Sequence, residues 1–152
     1  MSIAQSLLGE WDHEVQNTKK MLDAVPDGAE DFKPHEKSLP LGRLASHVAE
    51  FDWATFGYKP PSWPGSAKNA ASYLEKAAAA REILAATSDE EMMKPWTMRN
   101  GDQVFFTMPK VAVLRNFVFN HIVHHRAQLG VYLRMQGVKV PGMYGPSADE
   151  SM

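Results

Sequence analysis

Apolar residues recur at steps of three and four in four separate stretches, and each stretch ends at a cluster of proline or glycine. The first runs over residues 3–25, where Ile3, Leu7, Trp11, Val15, Thr18, Leu22 and Val25 form one stripe with Glu10, Gln16, Lys19 and Lys20 between them. Ser2 is placed to cap it, and Pro26-Asp27-Gly28 closes it. After an irregular, proline-rich segment, a second helix is predicted over 41–58, with Leu44, His47, Phe51, Ala54 and Tyr58 inward and Lys59-Pro60-Pro61 as its stop. Residues 62–69 read as a loop, and 70–86 as a third helix with Ala77-Ala78-Ala79-Ala80 at its middle. That run is either a strong helix former only or a place of close approach by a neighbouring helix, in the same subunit or a second.

Before the last helix the pattern changes to a period of two. Trp96-Thr97-Met98-Arg99, Asn100-Gly101 and Gln103-Val104-Phe105-Phe106 predict a small hairpin, the Asn-Gly pair supplying a type I′ turn. Thr107 then caps a fourth long helix over 109–136, with Pro109 in its first turn. The fold class implied is all-α, a four-helix bundle with one small β-hairpin before the last helix, forming a single domain over 1–152.

Composition and charge narrow the function without choosing it. The 16 Lys+Arg and 18 Asp+Glu nearly balance, and no basic block is interleaved with aromatics, so neither nucleic acid nor an acidic membrane surface is an expected partner. No window is long and apolar enough to span a bilayer and no leader pattern opens the chain, which makes a cytoplasmic location the expectation. Cysteine is absent, so a metal site would have to use nitrogen and oxygen donors.

The candidate chemistry sits in the fourth helix. His121 and His125 are four residues apart, about 40° apart around the axis, on the stripe of Leu114, Val118, Leu129 and Tyr132. An inward pair at that spacing can share one metal ion. His47 is the remaining inward histidine, on a different helix, whereas His13 falls off its stripe and His35 lies in an exposed loop. Three neutral imidazoles would give a divalent ion of the zinc or nickel type three protein ligands and leave positions open. Iron or manganese is also admissible, and histidines satisfied as core residues without any metal are the competing reading. Weaker candidates for a supporting or substrate-contacting role are Gln128, one turn beyond His125, Glu50, one turn from His47, and His124, whose direction keeps it off the same ion. Arg126 points about 100° away from His125, towards a salt bridge with another helix.

Arg43-Leu44-Ala45-Ser46-His47-Val48-Ala49, followed some seventy residues later by His121-Ile122-Val123-His124-His125-Arg126-Ala127-Gln128-Leu129, resembles the DinB family of metal-binding four-helix proteins. Tyr132-Leu133-Arg134, Val140-Pro141 and Tyr144-Gly145-Pro146-Ser147 extend the resemblance over nearly the whole chain. The match implies His47, His121 and His125 as a metal triad, and a homodimer. It also implies a metal-dependent thiol S-transferase using an external low-molecular-weight thiol, with no catalytic residue assigned. A non-catalytic, stress-response module binding a metal or small ligand and a metal-dependent hydrolase are the alternatives, because fold and ligands do not fix a reaction.

Overall fold

The computed structural model describes residues 1–50 and 62–151 and is mostly helical, with one two-stranded antiparallel hairpin. Helix α1 (Ile3–Asp23) begins at a capping box in which Ser2 Oγ accepts from Gln5 N and Gln5 Oε1 accepts from Ser2 N. Leu7, Trp11, Thr18 and Leu22 are buried as their spacing requires, and so are Glu14 and Asn17. α2 (Leu41–Val48) follows Pro40. Its first two amides, which no helical carbonyl can satisfy, donate to Phe32 O and Glu30 O in the preceding irregular segment. The expected continuation of this helix through Phe51, Ala54 and Tyr58 to the Lys59-Pro60-Pro61 stop lies outside the described residues.

α3 (Ser66–Ala86) starts four residues before its expected position. Gly65, at φ +94°, turns the chain into it, and the Asp27 carboxylate accepts from Ser66 N at 2.9 Å, so a side chain from the loop after α1 caps α3. α3 packs along α1. In the alanine run Ala77 is buried while Ala78 and Ala79 are exposed. A short helix that periodicity alone does not reveal, α4 (Asp89–Met93), follows. Ser88 caps it by accepting from Glu91 N, and Asp89 also accepts from Ile3 N, tying α4 to the start of the chain. Five residues are too few for a period to register, and the Ser88-Asp89-Glu90-Glu91 capping pattern was the available signal.

The hairpin pairs β1 (Pro95–Asn100) with β2 (Gln103–Pro109). Asn100 is a strand residue opposite Gln103, which leaves Gly101-Asp102 as the turn. Of that pair Gly101 alone has positive φ, at +56°, the sign pattern of a II′ rather than a I′ turn. Thr107 does not cap a helix either. Its hydroxyl bonds to that of Thr97 across the strands, 2.8 Å apart, and the strand runs on through Pro109.

The last helical stretch is therefore three pieces: α5 (Lys110–Leu114), a π-helical turn over Arg115–Phe119, and α6 (Asn120–Met135). A π turn carries more residues than an α turn and rephases the face that follows. Phe119 thereby turns into the core against Trp11, edge to face at 5.8 Å, while Leu114 and Val118 of the expected stripe are only partly buried. Phe117 stacks on Phe106 of the hairpin at 4.8 Å. α6 ends in a Schellman motif, with Gly137 at φ +71°, Val138 N donating to Leu133 O and Gly137 N to Arg134 O. α6 packs against both α2 and α1. Among the described residues, no helix is long and apolar enough to cross a membrane.

Gly42 of α2 is closely enclosed. A Cβ there would lie 2.7 Å from Glu30 Cβ and 2.8 Å from Trp63 Cβ, whereas one at Gly9 on α1 would meet nothing within 4 Å. Gly42→Ala is expected to destabilise by about 1–3 kcal/mol through overpacking, and Gly9→Ala to stabilise by about 0.5–1 kcal/mol through helix propensity. Paired chemical melts check the opposite signs.

Candidate metal centre

The site's donors come from two different helices. His47 lies in the last turn of α2, 8 % exposed, and His121 and His125 lie one turn apart on α6, half-buried. Packing of α2 on α6 brings the three rings together. His47 Nε2 and His121 Nε2 are 3.1 Å apart, and the ring centroids of His47 and His121 stand 4.5 and 4.4 Å from that of His125. One ligand nitrogen from each ring falls within 4.8 Å of the others, and this is the group of potential metal donors that the described residues assemble.

Electrostatics suits neutral imidazoles. Burial first, and then positive charge on the neighbouring rings, push the pKa of His47 and of His121 down to about 4. His125 is also lowered, chiefly by burial, against the opposing effect of its bond to Gln128 and with a further push from His124. At neutral pH all three rings therefore present lone pairs rather than charge.

The set fits a divalent ion of borderline softness. Imidazole is its preferred nitrogen donor, and a tetrahedral site with metal–nitrogen bonds of about 2.0–2.1 Å spaces its donors by about 3.3 Å, close to the 3.1 Å between His47 and His121. Three protein donors would leave such a coordination sphere open.

Of the secondary candidates, Gln128 is in the site's support. Its Oε1 lies 2.8 Å from His125 Nδ1; when that nitrogen carries the proton, Gln128 accepts it and Nε2 is left as the donor atom. Glu50 instead reaches α3, where its carboxylate accepts from Lys76 Nζ at 2.6 Å. His124 is exposed, with its ring edge-on to His125 at 4.8 Å, at the rim as its helical phase demands. His13 is exposed and bonded to Asn17, and His35 is exposed with Nδ1 accepting from Lys37 N.

Arg126 forms the anticipated interhelical salt bridge, but in an unanticipated setting. Its guanidinium is 2 % exposed and donates to Glu14 Oε2 at 2.6 Å, Glu14 O at 3.2 Å, Thr18 Oγ1 at 2.9 Å and the Tyr144 hydroxyl at 2.6 Å. Tyr144 in turn donates to the Glu14 carboxylate, 2.8 and 2.9 Å from its two oxygens. Sequence reasoning did not single out Glu14 or Tyr144. The signal for Glu14 was its place on the apolar stripe, three residues after Trp11 and four before Thr18. No local pattern foretells that Tyr144, in a segment of proline and glycine, folds back onto α1.

The chain is thus a helical protein with a hairpin and a three-histidine cluster shared between two helices. The DinB family profile matches residues 1–152, and the chain belongs to the DinB family. The uncharacterized protein YrdA of Bacillus subtilis (strain 168) is 29 % identical over 153 residues, covering 94 % of this chain and 89 % of that protein. The crystal structure of a DinB-like protein from Bacillus cereus ATCC 10987 superposes with a TM-score of 0.73 at 25 % identity, covering 94 % of this chain and 98 % of that one.

Groups whose pKa is depressed by folding bind fewer protons in the native state than in the unfolded one between about pH 6.5 and pH 4. A histidine of this kind imposes no cost above 6.5, and stability falls as pH drops through that window. Imidazole chemical-shift titration of the metal-free protein should give midpoints near pH 4 for His47 and His121, with a parallel loss of stability in melts between pH 6.5 and 4. Midpoints at 6.5 would mean that the rings are solvated and the cluster is not formed in solution.

Proposed function

We propose that the chain is a metal-dependent enzyme of the thiol-transferase type, in which His47, His121 and His125 hold a divalent ion and an external low-molecular-weight thiol is the co-substrate. The observation that carries this reading is the convergence of three neutral imidazole nitrogens within 4.8 Å from two helices. A divalent ion held there would supply Lewis-acid chemistry, lowering the pKa of a thiol or of water at an open position. The chain's residues do the rest: burial keeps the rings unprotonated, and Gln128 orients His125 through Nδ1. With no cysteine in the sequence, any thiol in the reaction must come from outside the chain.

Zinc or nickel suits the donor set best, and the protein is read as one four-helix domain over 1–152, acting in the cytoplasm on a small molecule as a homodimer. α1 and α3 pack within one chain and Ala77 is buried, so a dimer contact at the alanine run would use the exposed Ala78 and Ala79.

The deciding experiment has two stages. His125→Ala should retain less than about a tenth of the wild-type bound metal, because two imidazoles lack the third donor that holds an ion in an open site, yet keep a cooperative helical melt; His124→Ala should keep its metal. Equal metal in both variants at the wild-type level would show that the triad is not the site. Loaded protein is then screened with small thiols and an electrophilic acceptor, following loss of free thiol. Thiol consumption that depends on His125 supports transfer. Acceptor hydrolysis without thiol loss would favour a hydrolase, and metal binding without either reaction a binding module.

A further inference from the structure

α6 carries its functional groups on two faces. His121 and His125 look towards α2, and Arg126, one residue and about 100° further round, looks towards α1. What fixes the rotation of α6 about its own axis therefore also fixes how far two donors stand from the third. The apolar contacts of the helix are poorly suited to that task, since side chains such as Leu129 and Leu133 can re-pack over small rotations. A buried guanidinium held by four acceptors at set angles cannot.

We propose that Arg126, Glu14 and Tyr144 are positioning residues for the metal centre, setting the rotation of α6 so that His121 and His125 meet His47. This rests on the metal reading above. Side chains stand about 5 Å from a helix axis, so a rotation of about 10° carries a ring by about 1 Å. Such a shift is several times the tolerance of about 0.2 Å on a metal–nitrogen distance.

The network makes the C-terminal segment part of the site's support. Tyr144 is 63 % exposed as a residue, yet its hydroxyl bridges Arg126 and Glu14. The segment is held in place independently: Asp149 pairs with Arg134 and accepts from Val140 N, and Glu150 accepts from Gly142 N and Ser147 N. Folding of residues 138–150 thus delivers a phenol to the ion pair that orients the metal helix. Glu14 also neutralises Arg126, so no net positive charge is buried on α6 next to a cation site.

The test uses the full-length protein titrated with Co(II), whose visible d–d bands report coordination geometry, together with melts of the metal-free form. Tyr144→Phe removes one hydroxyl from a residue that is mostly exposed, so the fold should persist with a melt within a few degrees of wild type. Its Co(II) affinity should fall about tenfold, with altered d–d bands, as for loss of other outer partners of metal ligands. Arg126→Met should fall further, and Arg126→Lys should recover part of the loss. Leu84→Ala, in the α3 core, serves as the control: it should lower the melt more than Tyr144→Phe while leaving Co(II) affinity and spectrum unchanged. Wild-type affinity and bands in both Tyr144→Phe and Arg126→Lys would overturn the proposal, as would a Leu84→Ala spectrum altered as much as theirs. Should Arg126→Met fail to fold, Tyr144→Phe and Arg126→Lys decide together. A wild-type protein that takes no Co(II) sinks the metal reading itself, whereas a binding wild type with indifferent variants sinks only the positioning role.

Discussion

A fully desolvated guanidinium is the constraint around which the structure is arranged. Arg126 is buried, and a buried guanidinium is tolerated only if a counter-charge and enough acceptors are already in place. The counter-charge must come from α1, which therefore has to present Glu14 and Thr18 at the same level. The remaining acceptor must come from a segment that leaves α6 and doubles back, which requires the left-handed Gly137 and the Asp149 and Glu150 bonds that hold the return path. Satisfying one side chain thus commits α1, α6 and the C-terminal segment to a single relative placement.

The histidines impose the opposite demand. Neutral imidazoles tolerate burial at modest cost, and their donors are useful only if the rings stay unprotonated and mutually close. Burial, with a further push from neighbouring rings, lowers the pKa of His47 and of His121 to about 4, so their lone pairs are free of protons near neutral pH. The 100° step between residues 125 and 126 separates the charged network facing α1 from the uncharged cluster facing α2 on one helix.

How much of this was legible in the sequence depends on the range of the interaction. α1 and α3 were visible because a stripe of period 3.6 is local, and the donors His47, His121 and His125 because an inward histidine interrupts such a stripe. Boundaries were less legible where a distant partner sets them: Asp27 extends α3 back to Ser66, and strand pairing carries β2 through Pro109 where a proline suggested a helix start. The π turn was invisible, since its extra residue is recognisable only from where Phe117 and Phe119 end up. Glu14 was hidden by the habit of assigning carboxylates to solvent, although its phase on α1 pointed inward.

The π turn also links the hairpin to the direction of the site's donors. An uninterrupted α-helix from Lys110 would keep Leu114, Val118 and His121 on one stripe, and the stripe facing the core before the turn would be the one facing α2 after it. The wider turn breaks that equivalence. Phe119 is directed at Trp11 and Phe117 at Phe106, so the aromatic anchors on the core and on the hairpin fix the phase of the turn itself. Arg126 fixes the phase of the α-helix that follows. Between these two clamps lie His121 and His125, whose direction is then no longer a property of helix periodicity but of where the clamps stand, which is the condition for holding donor atoms to a fraction of an ångström.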